Sequence, residues 1–164
     1  MPSPLSTVIL IPAYNEGANI VRTIQLILKT GLVDARSIIV IDDGSLDATA
    51  RKAKSEGVHV ISLKKNHGKA GAFFAGMKYI SRLPKPPLAI VTLDADMLAV
   101  PPRDLRTLID SAKIGSILGK SRMAIAGVYE WTSAGHPSPR DATPSSGIRS
   151  FSLAAVFQLT HSHL

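Results

Sequence analysis

Cysteine is missing altogether from this chain of 164 residues, so neither a disulfide framework nor a thiolate metal site is open to it. Aromatic residues make up only 5%, which leaves few platforms for stacking bases. The basic residues are dispersed along the chain, and nucleic acid is therefore not expected as a partner. No apolar run approaches the roughly 18 residues that a membrane-crossing helix needs. The run Val8 to Ile11 is too short for a signal-peptide core, and no basic residue precedes it, so the expectation is a cytoplasmic chain. Two glycine-rich phosphate loops are also missing. No G-x-G-x-x-G follows any strand-like run, and in "GSILGKS" (Gly115–Ser121) three residues separate Gly115 from Gly119 where a P-loop needs four.

What the chain has in excess is positive charge and apolar residues. Nineteen Lys and Arg against twelve Asp and Glu give a net charge of +7, which favours anionic partners such as a nucleotide or an acidic membrane surface. Hydrophobic residues make up 45%, which argues against disorder, and the length suits one domain around a single core.

Strand-like and helix-like segments alternate. "VILIP" (Val8–Pro12) reads as a buried strand, and a helix over Asn15–Gly31 carries Ile20, Ile24, Ile27 and Leu28 at helical spacing. "SIIVID" (Ser37–Asp42) is a second strand, followed by a helix that Ser45 or Asp47 can cap and Gly57 ends. "VHVIS" is a short third strand before a helix from about Lys69 to Leu83. "LAIVTL" is a fourth, with a helix opening at Pro101 or Pro102 and running through Lys113. Residues 132–147 read as a long Pro-, Ser- and Gly-rich loop, and "FSLAAVFQLTHSHL" as a last helix. The predicted class is α/β, a mostly parallel sheet with helices on both faces.

Ligands of such sheets bind beyond the carboxyl ends of the strands, which is where "AYNE", "DDGS" and "DAD" fall. With nine Asp in the chain, chance alone predicts about half a D-x-D, so position rather than pattern carries the weight. Asp94 and Asp96, one residue apart, are expected on one side of the continuing strand with Ala95 on the other. Two carboxylates held that close favour a cation, Mg2+ or Mn2+, that keeps positions for diphosphate oxygens and water. An Asp in "DDGS" suits a base imide or a ribose hydroxyl, but the same letters also make an ordinary turn. Asn15 can cap the first helix, and Glu16 can complement its dipole. His67 reads as an exposed turn histidine.

Taken in order, "VILIPAYNE", "IIVIDDGSLDAT", "NHGKAGAFFAG", "AIVTLDADM", "ILGKSR" and "SSGIRSFS" resemble the family 2 inverting glycosyltransferases of GT-A fold, over about residues 6 to 157. The nearest subgroup is the polyprenyl-phosphate (dolichyl-phosphate) mannosyl- and glucosyltransferases. The resemblance implies a single domain over 1–164, with a nucleotide-sugar-binding part at 6–122 and a shortened acceptor-side part at 123–164. It implies that Pro12, Tyr14 and Glu16 border the nucleoside and that Asp43 binds the base. Asn66, Gly68 and Lys69 would line the nucleotide side. Asp94 would lie by the ribose or metal and Asp96 would be the main metal ligand, with Arg122 and Arg149 facing phosphates.

The implied reaction is attack of an acceptor, a polyprenyl phosphate, on the anomeric carbon of a UDP- or GDP-linked hexose, with inversion and a divalent metal. The implied setting is cytoplasmic, with peripheral contact at an anionic membrane. The subgroup's polar residue shortly after DAD is replaced here by "MLAVPP". A nucleotide-binding module without turnover is the alternative. A sugar-nucleotide pyrophosphorylase fits less well, because "PAYNEG" offers only Gly17 where that family has a glycine-rich loop.

Overall fold

The first strand, "TVILIPA", has no polar side to turn to water, and the fold buries both of its faces. The computed structural model describes residues 6–117, 123–126 and 148–152, with side chains over 6–113. Strand β1 (Thr7–Ala13) lies in the middle of a six-stranded sheet with β2 (Ile38–Asp42), β3 (His59–Ser62), β4 (Ala89–Thr92), β5 (Met123–Ala126) and β6 (Ile148–Ser152). The order is β3-β2-β1-β4-β6-β5; the first four run parallel, and β6 is antiparallel to both β4 and β5.

The helices are α1 (Ile20–Lys29), α2 (Thr49–Ser55), α3 (Gly68–Ile80) and α4 (Pro102–Ile117). Alternation along the strands sorts the core into two layers. Ile9, Ile11, Ile38, Val40 and Val91 pack with α1, α2 and α4 on one face. Val8, Leu10, Ile39, Ile41 and Ile90 pack with α3 on the other. In α1 the buried positions Ile20, Thr23, Ile24 and Ile27 follow the i, i+3, i+4, i+7 stripe of a helix with one face on a core.

The predicted α/β class holds, and three details differ. Helix α1 begins at Ile20, not Asn15, because Asn15 has φ 55 and cannot continue a right-handed helix. Its N-cap is Asn19, without a side-chain cap bond, so Asn15 is not the cap. Phe151 and Ser152, expected to open a last helix, end β6 instead, pairing with Ile90 and Ala89. A strand wins there because β4 would otherwise present an unpaired edge. The rest of the expected helix, and the loop over 132–147, lie outside the described residues.

Both faces of β1 are apolar, so hydrophobic pattern alone fixes its register weakly. Close packing adds the missing constraint. A Cβ built on Gly76 of α3 would stand 2.5 Å from Leu10 Cδ1 and 3.1 Å from Ile41 Cγ1, both on fully buried side chains. The glycine is what lets α3 settle on β1 and β2. Gly76→Val is expected to destabilise the fold by about 1–3 kcal/mol through overpacking, read as a lower urea midpoint with unchanged slope.

Candidate active site

Parallel pairing brings four strand ends to one edge: Ala13 is opposite Asp42, Asp42 opposite Ser62, and Leu10 opposite Thr92. Beyond them lies a cavity of about 450 Å³ lined by Pro12, Ala13, Tyr14, Glu16, Asp43, Asn66, Gly68, Lys69, Ala72, Asp94, Ala95 and Asp96. Nine residues singled out from the sequence are thus brought together: Pro12, Tyr14, Glu16, Asp43, Asn66, Gly68, Lys69, Asp94 and Asp96. Ala13, Ala72 and Ala95 were not foreseen, since small apolar side chains leave no chemical signature. Arg122 lies outside the described residues. Arg149 is described as backbone only, on β6 opposite Thr92, two residues before Asp94.

The acidic pair sits in a turn. Strand β4 ends at Thr92, so Asp94 and Asp96 are not on a continuing pleat as expected. They still face the same cavity, because Ala95 between them is held from behind. Its side chain is buried in the α1 layer, and its carbonyl accepts a hydrogen bond at 2.8 Å from the hydroxyl of Thr23, itself fully buried. A buried hydroxyl must find an acceptor, and this one fixes the turn that aims both carboxylates outward.

Asp94 does not face the cavity unaccompanied. Lys69 Nζ lies 2.7 Å from its Oδ1, with the lysine side chain about half exposed. The ammonium offsets the repulsion between Asp94 and the exposed Asp96. Among the described residues, no group of three or more His, Asp or Glu could hold a metal ion. Two carboxylates on one cavity nonetheless suit Mg2+ or Mn2+, which are usually held by one or two carboxylates with the remaining positions left to phosphate oxygens and water.

Asp43, also in the cavity wall, is almost wholly buried. Both its oxygens accept from the backbone N–H of His67, at 2.9 and 3.0 Å, and His67 Nδ1 lies 3.5 Å from Oδ1. His67 is exposed as expected, and from the N-cap position of α3 its backbone N–H also anchors Asp43. Lone pairs remain on the carboxylate for a donor from the cavity. Gly44 next to it has φ +72, and a Cβ there would stand 2.7 Å from the Lys65 carbonyl carbon, so only glycine fits. That contact locks the β2–α2 loop against the β3–α3 loop.

The model of glycosyl transferase family 2 matches residues 8–158, nearly the whole chain. This chain belongs to that family. An undecaprenyl-phosphate 4-deoxy-4-formamido-L-arabinose transferase of Klebsiella pneumoniae is 34% identical over 118 residues, 65% of this chain and 33% of its own. An uncharacterized protein of Methanocaldococcus jannaschii is 41% identical over 88 residues, 54% of this chain and 34% of its own. The chain spans about a third of the length of these curated relatives.

Among solved structures, glucosyl-3-phosphoglycerate synthase from Mycobacterium tuberculosis, in complex with Mn2+, UDP-glucose and phosphoglyceric acid, superposes with a TM-score of 0.54 at 26% identity. The match covers 68% of this chain and 41% of that one. A second complex of the same enzyme covers 98% of this chain and 67% of that one, with a TM-score of 0.62 at 20% identity, a likeness of fold. Family 2 membership and these superpositions agree with the expected GT-A glycosyltransferase fold.

Lys69→Met removes the ammonium that lies 2.7 Å from Asp94. We expect Mn2+, titrated without nucleotide and followed by electron paramagnetic resonance, to bind up to about fivefold tighter, the scale of one half-exposed ion pair.

Proposed function

We propose that this chain carries the donor site of a glycosyltransferase, binding a nucleotide-sugar linked through UDP or GDP. Nucleoside binds along Pro12, Tyr14, Glu16 and Asp43, and diphosphate lies toward Asn66, Gly68, Lys69 and the acidic pair. The observation that carries this reading is that the nine residues implied by the family resemblance all line one cavity beyond the strand ends. The solved relative's complex with Mn2+ and UDP-glucose supports both the donor class and a divalent metal.

Asp94 and Asp96 would hold the cation, which supplies positive charge where the leaving diphosphate becomes more negative. Lys69 stands beside them and adds a second positive charge on the same side. In the transfer, the bond from the anomeric carbon to the diphosphate oxygen breaks, and its electron pair leaves with the nucleoside diphosphate. An acceptor oxygen forms the new bond from the opposite face, which gives inversion. Arg122 and Arg149 are proposed to face the phosphates of donor or acceptor, since guanidinium forks suit phosphate oxygens.

The acceptor we propose is a polyprenyl phosphate. A phosphate oxygen is already anionic at neutral pH and needs no strong base, whereas a sugar hydroxyl would. Among the described residues the candidates downstream of DAD, Asp104 and Asp110, are exposed on α4 and do not line the cavity, and Asp141 lies outside the described residues. The Klebsiella relative's named acceptor and the net charge of +7 support an anionic lipid met at a membrane face. No helix among the described residues is long and apolar enough to cross a membrane.

Isothermal titration calorimetry with UDP- and GDP-sugars, with and without Mn2+, tests the reading. Binding to the wild type should require the metal, and Asp96→Ala should abolish the metal requirement together with most of the affinity. Tight binding indifferent to both would falsify it. Transfer to added polyprenyl phosphate separates an enzyme from a nucleotide-binding module.

A further inference from the structure

The loop that follows β1 alternates. Tyr14 and Glu16 line the cavity, while the residues between and after them are tied to the β2–α2 segment. Asn15 N–H donates to Ser45 Oγ at 2.9 Å, and Asn15 Oδ1 accepts from Leu46 N–H at 2.9 Å. Gly17 N–H donates to Asp47 Oδ2 at 2.9 Å, and Lys52 Nζ donates to the Gly17 carbonyl at 2.7 Å. None of Asn15, Gly17, Ser45, Asp47 and Lys52 lines the cavity.

We propose that Asp47 is a positioning residue for the nucleotide cavity: with Asn15 it clamps the backbone that carries Tyr14 and Glu16 and so sets them against Asp43. The inference rests on the donor-site reading above and concerns residues outside the cavity wall.

Three observations give the clamp its stiffness. Asp47 is pinned at both oxygens, because Oδ1 accepts from Thr49 N–H at 2.9 Å and from the Thr49 hydroxyl, and Thr49 is fully buried. Gly17 has to be glycine for the contact to form, since a Cβ there would stand 2.6 Å from Asp47 Oδ2. Asn15 takes up φ 55, a conformation that costs a side chain about 1 kcal/mol or more and persists where surroundings over-determine it. The hydrogen bond from Thr49, ahead of those from the backbone, holds the Asp47 carboxyl below its ordinary value near 3.8, so the clamp is charged at neutral pH. An ionised acceptor makes the stronger hydrogen bonds.

Asp34 provides an internal control. It receives Ser37 N–H and Oγ at 3.1 Å and pairs with Arg36 at 2.9 Å, but it precedes β2 and lies at the opposite, amino edge of the sheet. Asp47→Ala and Asp34→Ala therefore remove comparable local bonds at the two edges.

The experiment compares these variants with wild type in two measurements. Amide hydrogen exchange of ligand-free protein should show faster exchange over residues 14–19 in Asp47→Ala and not in Asp34→Ala. The dissociation constant for UDP with Mn2+ should rise about tenfold in Asp47→Ala and stay unchanged in Asp34→Ala. Asp47→Asn keeps one acceptor oxygen for Gly17 N–H and should fall between wild type and Asp47→Ala in both. Unchanged exchange over residues 14–19, equal affinity losses in the two alanine variants, or a loosened loop with undiminished affinity would each overturn the proposal. Wild-type protein that binds no UDP would overturn the donor-site reading instead, and the exchange measurement would still decide the clamp.

Discussion

Parallel pairing of β1 between β2 and β4 is the constraint on which the remaining structure depends. Both faces of β1 are buried, and its neighbours run the same way, so that their helices cover the two apolar layers. Four loops then leave the sheet at one edge, and their polar residues meet because the strands beneath them are in register. The chemistry is concentrated by packing that is itself mostly apolar.

The site is built by residues behind it as much as by those in its wall. Thr23 on α1 holds Ala95, and the DAD turn follows. His67 at the start of α3 holds Asp43, and the asparagine and glycine beside it enter the wall. Asp47 and Asn15 tie two loops across the edge. Each is a hydrogen bond between segments distant in sequence, so the cavity's shape is a tertiary property. Charge is arranged on the same principle. A lysine in the first turn of α3 stands at Asp94 and offsets its repulsion with Asp96.

Much of this was legible in the sequence. The buried strands read as near-continuous apolar runs, and the polar clusters stood directly after them, so the α/β class and the site's place at the carboxyl edge followed. What stayed hidden depended on contacts across the chain. Asn15 looked like a helix cap because Asn commonly is one, but its partners are Leu46 and Ser45, 31 and 30 residues away. Phe151 and Ser152 carry no local mark of a strand; the free edge of β4 decides for them. The alanines in the cavity wall are silent because an alanine side chain carries no chemistry to mark it, whether it faces the cavity or the core behind it.

The account turns on a divalent cation meeting the cavity at Asp94 and Asp96 while nucleoside diphosphate lies beside it. The most direct test is paramagnetic line broadening by Mn2+ in the amide spectrum of the isotopically labelled 17.4 kDa chain with UDP present. The account predicts that the strongest broadening falls on residues 94–97 and on 66–69 across the cavity, and that Asp96→Ala removes it. Broadening centred elsewhere, or unchanged in that variant, would contradict it.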